Sequence, residues 1–351
     1  MVPNKALILK RYPDGMPVAG QDLTVEPRDF KLECPPPAGG IVTKNLYASF
    51  DPYMRSRMDN KNKGLYFAPF PLDQPITSIC IAKVLKSDTP KISEGQLIVG
   101  FIPVEEYSQL TEETLKMSDY QVIQNPYSFD IVEFLGPLGM PGLTAYASLF
   151  EIGKPKKGET ILVSAASGAV GQLVGQFAKR EGLRVIGSVG SDEKLDFIVN
   201  ELKFDGGFNY KLENPVDAIK RLAPDGVDIY YDNVGGEQLD AALGLMNHWG
   251  RIVACGMISQ YNNQGDQRYG IKNLLNVVPL SLTMRGFLVS SPEMGPKYFE
   301  ERNTKVSQWL SDGSLKSKIH MTQGIANAPQ GFVGMMQGKN FGKAVLKIAD
   351  Q

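Results

Sequence analysis

The sequence has few of the side chains that hold transition metals in proteins. Its 351 residues include two histidines and three cysteines. Cys34, Cys80 and Cys255 lie far apart with no C-x-x-C pair, and neither His248 nor His320 stands in ligand spacing with a cysteine. We therefore expect no Cys/His metal site, no disulfide framework and a reducing, cytoplasmic location.

The sequence also has no excess of positive or negative charge and no long hydrophobic run. Lys and Arg number 37 against 38 Asp and Glu, a formal net charge of −1 at pH 7, so no overall field recruits nucleic acid or an anionic membrane. No run approaches the roughly 18 apolar residues of a membrane span, and the N-terminus lacks the apolar core of a signal peptide. We expect a small-molecule partner rather than nucleic acid or a membrane.

The sequence pattern changes near Gly142, and the length suits two domains. Before about residue 130, short alternating runs between turn clusters predict a small β-barrel. After Gly142, apolar strands alternate with helical segments, which predicts an α/β, doubly wound parallel sheet. A helix is expected at 294–310, after which the tail is expected to rejoin the first domain. The predicted domains are residues 1–134 with 311–351 and residues 135–310, with parallel strands at 161–164, 183–188, 227–232, 251–255 and 280–289.

A glycine turn follows the first of these predicted strands. The apolar run 161–163 leads into Gly168 and Gly171, and apolar residues then recur at helical spacing. Such a turn presents backbone N–H groups and a helix dipole to a pyrophosphate. Ala166 stands where the dinucleotide fingerprint has its first glycine. We predict a dinucleotide site here, with an ordinary strand-to-helix turn as the alternative.

The end of the second parallel strand indicates which nicotinamide cofactor binds. An NAD site places a carboxylate there for the ribose hydroxyls, whereas this strand ends in Gly187 and Ser188 and is followed by Lys194. A neutral strand end beside a cation favours the 2′-phosphate of NADPH. Two alternatives stay open: Ser191 caps a helix whose Lys194 is merely solvated, or Asp192 serves as the ribose carboxylate.

The scarcity of metal ligands narrows the chemistry. Without a Lewis acid, interconversion of alcohols and ketones is harder to support, whereas hydride addition to an α,β-unsaturated carbonyl needs mainly orientation and a hydrogen bond to the oxygen. Tyr261, in a loop that leaves a strand end, and Tyr53, among polar and aromatic residues, are candidate donors. The alternative for each is a half-buried packing residue.

Taken together, these segments resemble the zinc-independent medium-chain dehydrogenases/reductases, in particular the group of leukotriene B4 12-hydroxydehydrogenase, prostaglandin reductase and plant alkenal double-bond reductases. The resemblance spans nearly the whole chain and implies a Rossmann-type domain beside a GroES-like β-barrel catalytic domain. It is carried by the motifs Asp51-Pro-Tyr-Met-Arg55, Gly139-Met-Pro-Gly-Leu-Thr-Ala-Tyr146, Ala165-Ala-Ser-Gly-Ala-Val-Gly171, Gly190-Ser-Asp-Glu-Lys194, Phe208-Asn-Tyr-Lys211, Tyr231-Asp-Asn-Val-Gly-Gly236, 255–262, Met284-Arg-Gly-Phe287 and Asn340-Phe-Gly-Lys343.

The resemblance also implies roles for individual residues, with NADPH/NADP+ as the cofactor. Lys194 and Tyr210 are expected to hold the 2′-phosphate, Tyr261 to hydrogen-bond the substrate carbonyl or enolate, and Tyr53 to line the substrate pocket. The remaining implied cofactor contacts are Met140, Pro141 and Thr144 beneath the nicotinamide; Gly168, Ala169, Val170 and Gly171 at the pyrophosphate; Ser188 and Gly190 at the second strand end; and Asn233, Cys255, Gly256, Ile258, Phe287, Leu288, Val289, Asn340 and Gly342 around the rest of the molecule.

The activity implied is NADPH-dependent reduction of the C=C bond of enals or enones by a homodimer. Three alternatives stay open: a quinone reductase, a metal-free alcohol dehydrogenase, and an NADPH-binding protein without useful turnover. Segment 59–75 matches the family least well and is expected to border the substrate pocket, so the substrate itself is not specified.

Overall fold

The computed structural model describes residues 1–60 and 67–350. Its strands are β1 (Val2–Leu9), β2 (Leu23–Phe30), β3 (Ile41–Ser49), β4 (Thr77–Ser87), β5 (Leu97–Pro103), β6 (Tyr107–Leu110), β7 (Gln121–Val122), β8 (Thr160–Val163), β9 (Arg184–Val189), β10 (Gly206–Asn209), β11 (Val227–Asp232), β12 (Met246–Ala254), β13 (Thr283–Gly286), β14 (Ile319–Gln323) and β15 (Lys343–Lys347). Its α-helices are α1 (Glu112–Met117), α2 (Met140–Ser148), α3 (Gly171–Arg180), α4 (Asp192–Asp196), α5 (Pro215–Leu222), α6 (Gly236–Leu243), α7 (Gly295–Ser311) and α8 (Ala328–Met336).

The chain forms two compact units. The first comprises Met1–Leu135, Ile319–Asn340 and the chain from Ala344 onward, and the second comprises Gly136–Lys318 and Phe341–Lys343. In the part of the chain that the structure describes, no helix is both long and apolar enough to cross a membrane. The cytoplasmic location stays a prediction.

The first unit is built from antiparallel strands. β1 pairs with β2, and a seven-stranded sheet has the order β14-β15-β3-β4-β5-β7, with β6 also paired to β3. A buried polar cluster links β1, β3 and β6: Glu105 accepts hydrogen bonds from Asn4 at 3.1 Å and Ser108 at 2.9 Å, and Asn45 donates to Ser108 at 2.8 Å. Burial raises the pKa of Glu105, and these donors partly offset that penalty on the carboxylate.

The second unit is a doubly wound parallel sheet of order β10-β9-β8-β11-β12-β13. Successive side chains of its central strands enter two different cores, because strand residues alternate between faces. Ile161 and Val163 of β8 pack into the core that contains Phe177 of α3, whereas Leu162 packs into the core that contains Ile219 of α5. The strands are thus covered on both faces, as parallel strands require.

Helix α3 lies very close to a neighbouring aromatic residue. A Cβ on Gly175 would lie 1.8 Å from Cζ of Phe204, which is buried in the loop before β10. Glycine is therefore needed at this contact, and the contact fixes the position of the helix that begins at the glycine turn.

The predicted α/β class, with a doubly wound parallel sheet and a separate sheet domain, is confirmed. The strands expected at 161–164, 183–188, 227–232, 251–255 and 280–289 correspond to β8, β9, β11, β12 and β13, and the helix expected at 294–310 is α7. The last strand is shorter than expected, since Ser281 has a φ of 51° and the chain turns there. β10, a four-residue strand that begins with two glycines, was not predicted.

Candidate active site

The glycine turn between β8 and α3 is tight, so that its glycines pack against the backbone of Ala165. A Cβ on Gly171 would lie 2.4 Å from the carbonyl oxygen of Ala165, and one on Gly168 would lie 3.1 Å from the same atom. Gly168, Ala169 and Val170 are only partly buried. This tight turn places the first turn of α3 at the carboxyl end of β8, where the helix dipole favours an anion.

Ala166 departs from the glycine fingerprint, and the neighbouring strand compensates for it. Its side chain is fully buried, and a Cβ on Gly187 of β9 would lie 2.6 Å from the Cβ of Ala166. The space that a glycine leaves open in the fingerprint is provided here by a glycine on the adjacent strand.

The carboxyl end of β9 carries no carboxylate and lies beside two cations. Lys194 is partly buried at the start of α4, and burial, together with the charge of Lys211, lowers its pKa. A Cβ on Gly190 would lie 3.1 Å from Oη of Tyr210. The structure therefore brings Gly190, Lys194 and Tyr210 to one edge of the sheet, and their charge and donors fit a phosphate.

Both sequence alternatives for this region have a structural counterpart. Ser191 does cap α4, since its Oγ accepts from the backbone N–H of Lys194 at 3.3 Å. Asp192 accepts a hydrogen bond from Nδ2 of Asn209 at 2.9 Å, so its carboxylate is engaged with the neighbouring strand. Ser188 is buried and donates to Oε1 of Gln238 in α6. Its hydroxyl faces the protein interior.

The end of β11 is held by the buried carboxylate of Asp232, for which the sequence predicted no role. Oδ1 of Asp232 accepts from the backbone N–H groups of Val234 at 3.0 Å and Gly235 at 2.8 Å. Asn233 donates through its backbone N–H to Oγ of Ser164 at 2.9 Å and through Nδ2 to the Ser164 carbonyl at 2.8 Å. Asn233 thus bridges the ends of β11 and β8. The sequence could have indicated this carboxylate, because Asp232 directly precedes Asn233 in the motif Tyr231-Asp-Asn-Val-Gly-Gly236.

The loop after β12 contains Tyr261, the candidate hydrogen-bond donor to the substrate. Its Oη accepts from the backbone N–H of Met257 at 3.1 Å and would lie 2.9 Å from a Cβ on Gly256. A side chain at 256 would therefore displace the phenol. Ile258 begins the single 3₁₀ turn that separates Tyr261 from the strand end. A hydroxyl that accepts a hydrogen bond is polarised to donate its own proton.

Cys255 directly follows β12 and begins this loop. Burial of its thiol raises its pKa to about 12, with a hydrogen bond to Tyr231 opposing the shift. The Tyr231 hydroxyl lies 2.6 Å from Oγ of Ser148, which donates to the carbonyl of Thr144 at 2.7 Å. This row of buried polar groups links β12 and β11 to α2, and the thiol at its end is protonated at neutral pH.

Helix α2 begins at Met140 and Pro141 after a tightly folded turn. A Cβ on Gly142 would lie 1.8 Å from the Pro137 carbonyl oxygen. The fully buried Arg302 of α7 donates to this same oxygen at 3.1 Å. Phe287, Leu288 and Val289 follow β13, and the carbonyl of Val289 accepts from Gly295 N at 2.8 Å.

A three-residue segment of the tail lies against the glycine turn. Gly342 forms an isolated parallel β-bridge with Gly168, and Phe341 packs edge-on against Phe197 with ring centroids 5.0 Å apart. Gly342 has a φ of 86°, and a Cβ there would lie 2.0 Å from the Lys318 carbonyl oxygen. Glycine is therefore required. Asn340, two residues earlier, is partly buried.

Tyr53 belongs to the first unit, in the 3₁₀ helix Pro52–Met58. Its hydroxyl is buried and has no hydrogen-bond partner among the described residues. Burial, and then the charge of Asp51, raises its pKa above the usual value. Its ring lies 5.2 Å from that of Phe67 between centroids. Of segment 59–75, expected to border the substrate pocket, residues 61–66 lie outside the described residues.

The described ranges, 1–60 and 67–350, contain no group of three His, Cys, Asp or Glu side chains that could hold a metal ion. One of the family models that match the chain is nevertheless described as a zinc-binding dehydrogenase and covers residues 169–304. The other is the N-terminal domain of oxidoreductase and covers residues 5–118.

Similar proteins match the chain from end to end. An NADP-dependent oxidoreductase of Cochliobolus heterostrophus is 51% identical over 100% of this chain and 99% of its own length. A 2-alkenal reductase (NADP(+)-dependent) of Nicotiana tabacum is 45% identical over 99% of this chain and 98% of its own. The crystal structure of CurA in complex with NADPH from Vibrio vulnificus has a TM-score of 0.88 and 30% identity, covering 99% of this chain and 100% of that one.

The contact between Gly342 and the glycine turn predicts a matched pair of variants. Gly342→Ala should weaken NADPH binding about tenfold or more, because the added Cβ strains a positive φ and displaces the tail segment from Gly168. Gly338→Ala also has a positive φ, 69°, but its Cβ would meet nothing within 4 Å, so binding should stay within about twofold of wild type. Titration of NADPH fluorescence measures both. Equal losses in the two variants would contradict a specific role for the segment.

Proposed function

The chain is an NADP-dependent oxidoreductase of the zinc-independent medium-chain dehydrogenase/reductase family, and from that premise we propose that it reduces the C=C bond of α,β-unsaturated aldehydes and ketones. The observation that carries the proposal is the hydroxyl of Tyr261, which the backbone N–H of Met257 holds beside Gly256 at the end of β12. The 45% identity to a 2-alkenal reductase over 99% of the chain supports it.

We propose that the cofactor lies along the carboxyl edge of the parallel sheet. The pyrophosphate would bind at the first turn of α3, between Gly168 and Gly171, and the 2′-phosphate at Lys194 and Tyr210. The ribose and nicotinamide would be lined by Asn233, Cys255, Gly256, the start of α2 and residues 287–289. Ser188, whose hydroxyl donates to Gln238, would contribute through its backbone and small size.

Bound NADPH supplies the hydride that the β-carbon of the substrate receives. In this proposal Tyr261 donates a hydrogen bond to the carbonyl oxygen, where negative charge develops as the C=C bond is reduced. The α-carbon then takes a proton from water, which leaves the saturated aldehyde or ketone. The Tyr261 oxygen accepts from a backbone amide, so its proton is directed away from that amide and the oxygen is held in place.

Tyr53 is proposed to contact the substrate. Its buried hydroxyl lacks a hydrogen-bond partner among the residues that the structure describes, and a buried donor without a partner is costly unless a ligand satisfies it.

A substrate panel tests the activity. NADPH oxidation should be rapid with a 2-alkenal such as trans-2-hexenal, with hexanal as the product, and slow with hexanal itself or with a quinone. Product analysis by gas chromatography identifies the reduced bond. Faster reduction of the quinone, or of the saturated aldehyde to an alcohol, would favour the other two reductase types. Tight NADPH binding with no turnover across the panel would indicate a non-catalytic protein.

Tyr261→Phe should lower kcat with an enal by about a hundredfold, since one lost donor to a developing oxyanion costs that order of rate. The NADPH dissociation constant should stay within about twofold, because the ring remains. Tyr269→Phe is the matched control: this tyrosine is in the same loop region and donates to Asp240 at 3.0 Å, so its loss should leave kcat unchanged. Wild-type turnover in Tyr261→Phe would refute the assigned role.

We propose further that two chains pair through β13. This strand is an edge of the parallel sheet, and edge strands expose unpaired backbone groups that invite pairing. Large apolar side chains are exposed around it: Leu275 is 71% exposed and Val278 82% in the segment that leads into the strand, and Met284 within it is 38% exposed. Such a surface is typical of an interface between identical subunits.

Sedimentation equilibrium tests the pairing. The wild type should sediment as a dimer, and Val278→Asp combined with Leu275→Asp should sediment as a monomer, because each buries a charge in the interface. Leu212→Asp is the control, since this residue is 75% exposed and follows β10 at the opposite edge of the sheet. A monomeric wild type would exclude the proposed dimer.

A further inference from the structure

We propose that Lys211 is a second cation of the 2′-phosphate site and, with Lys194, determines the preference for NADPH over NADH. The inference rests on the proposed position of the cofactor at the carboxyl edge of the sheet. Lys211 follows β10 and Tyr210 directly, and the resemblance to the family implies a role for Tyr210 but none for this lysine.

The sheet itself brings Lys211 to the right place. β9 and β10 are parallel neighbours, with Ser188 opposite Phe208 and Val189 opposite Asn209. The backbone N–H of Tyr210 continues the ladder by donating to the Val189 carbonyl at 3.0 Å. The residues that follow each strand therefore leave the same edge side by side.

Gly190 lies directly against both residues that follow β10. A Cβ on Gly190 would meet Oη of Tyr210 at 3.1 Å and Cε of Lys211 at 3.4 Å. The absence of a side chain at 190 thus leaves a space bordered by a phenol and by the end of a lysine side chain. An oxyanion entering this space would find a hydroxyl donor and an ammonium group together.

Asn209 orients this arrangement. Its Oδ1 accepts from the backbone N–H of Lys211 at 3.2 Å, and its Nδ2 donates to Oδ1 of Asp192 at 2.9 Å. The same side chain therefore holds the backbone of Lys211 and engages the carboxylate of Asp192. A buried asparagine, 8% exposed, makes both contacts with little freedom to move.

The two lysines are close enough to influence each other. Burial is the main cause of the lowered pKa of Lys194, the positive charge of Lys211 lowers it further, and Glu193 acts in the opposite direction. The two lysine ammonium groups repel each other, and a phosphate dianion bound between them would relieve this repulsion. The ribose of NADH carries no such anion, so it gains nothing from either cation.

Two pairs of ligands differ by the 2′-phosphate: NADPH with NADH, and adenosine 2′,5′-bisphosphate with adenosine 5′-monophosphate. Their binding tests the inference without any turnover. Lys211→Met keeps the aliphatic stem and removes the charge. It should weaken NADPH and adenosine 2′,5′-bisphosphate about tenfold, and leave NADH and adenosine 5′-monophosphate within about twofold. Lys211→Arg should restore most of the loss, because a guanidinium also binds phosphate. Titration calorimetry measures all four ligands.

Two further variants sharpen the comparison. Lys194→Ala should also weaken NADPH far more than NADH, and Lys220→Met, an exposed lysine of α5, should change neither. An equal effect of Lys211→Met on the phosphorylated and unphosphorylated ligands, or no effect on either, would overturn the inference.

The wild-type results separate this inference from the proposed activity. Loss of discrimination in Lys211→Met would support the inference even if no enal were reduced, in which case only the proposed activity fails. A wild type that binds NADPH and NADH equally well would overturn the inference whatever its activity.

Discussion

Asp232 joins the loops at the carboxyl edge of the parallel sheet. Its side chain accepts the backbone N–H groups of Val234 and Gly235, and its own carbonyl accepts those of Cys255 at 2.9 Å and Gly256 at 3.0 Å. One buried residue thus sets the paths that leave both β11 and β12. Burial raises the pKa of its carboxyl, and the hydrogen bonds it accepts partly offset that cost. The bridge from β11 to Ser164 and the position of the Tyr261 loop depend on this arrangement.

Close backbone approach is the second constraint on the site. Gly171 tightens the turn, Gly187 makes space for Ala166, and Gly342 lets the tail pair with Gly168. The glycines that shape this site thus lie in three segments of the chain. Two of these segments lie outside the glycine motif between β8 and α3. A chain that departs from the motif at one position keeps the same geometry through a neighbour.

Periodicity was sufficient for most of the second unit, because β8 and the runs 229–231 and 252–253 are buried on both faces of the sheet. It failed at β10, where Gly206 and Gly207 give no pattern and the strand exists through pairing with β9. The clustering of Gly190, Lys194 and Tyr210 was anticipated by resemblance. The directions of side chains could not be predicted from the sequence. Ser188 is an example, because only the structure shows that its hydroxyl donates to Gln238. The roles assigned to individual residues stay predictions.

The row of hydroxyls behind Cys255 has a chemical consequence. Enals are electrophiles to which thiolates, but not thiols, add readily at the β-carbon. Cys255 stands next to the loop of Tyr261, where such a molecule would be held for reduction. Because burial raises the pKa of its thiol, the side chain would keep its proton and resist alkylation by the compounds that the enzyme is proposed to consume. With the substrate in its proposed position, this cysteine would therefore lie beside a reactive carbon without being alkylated.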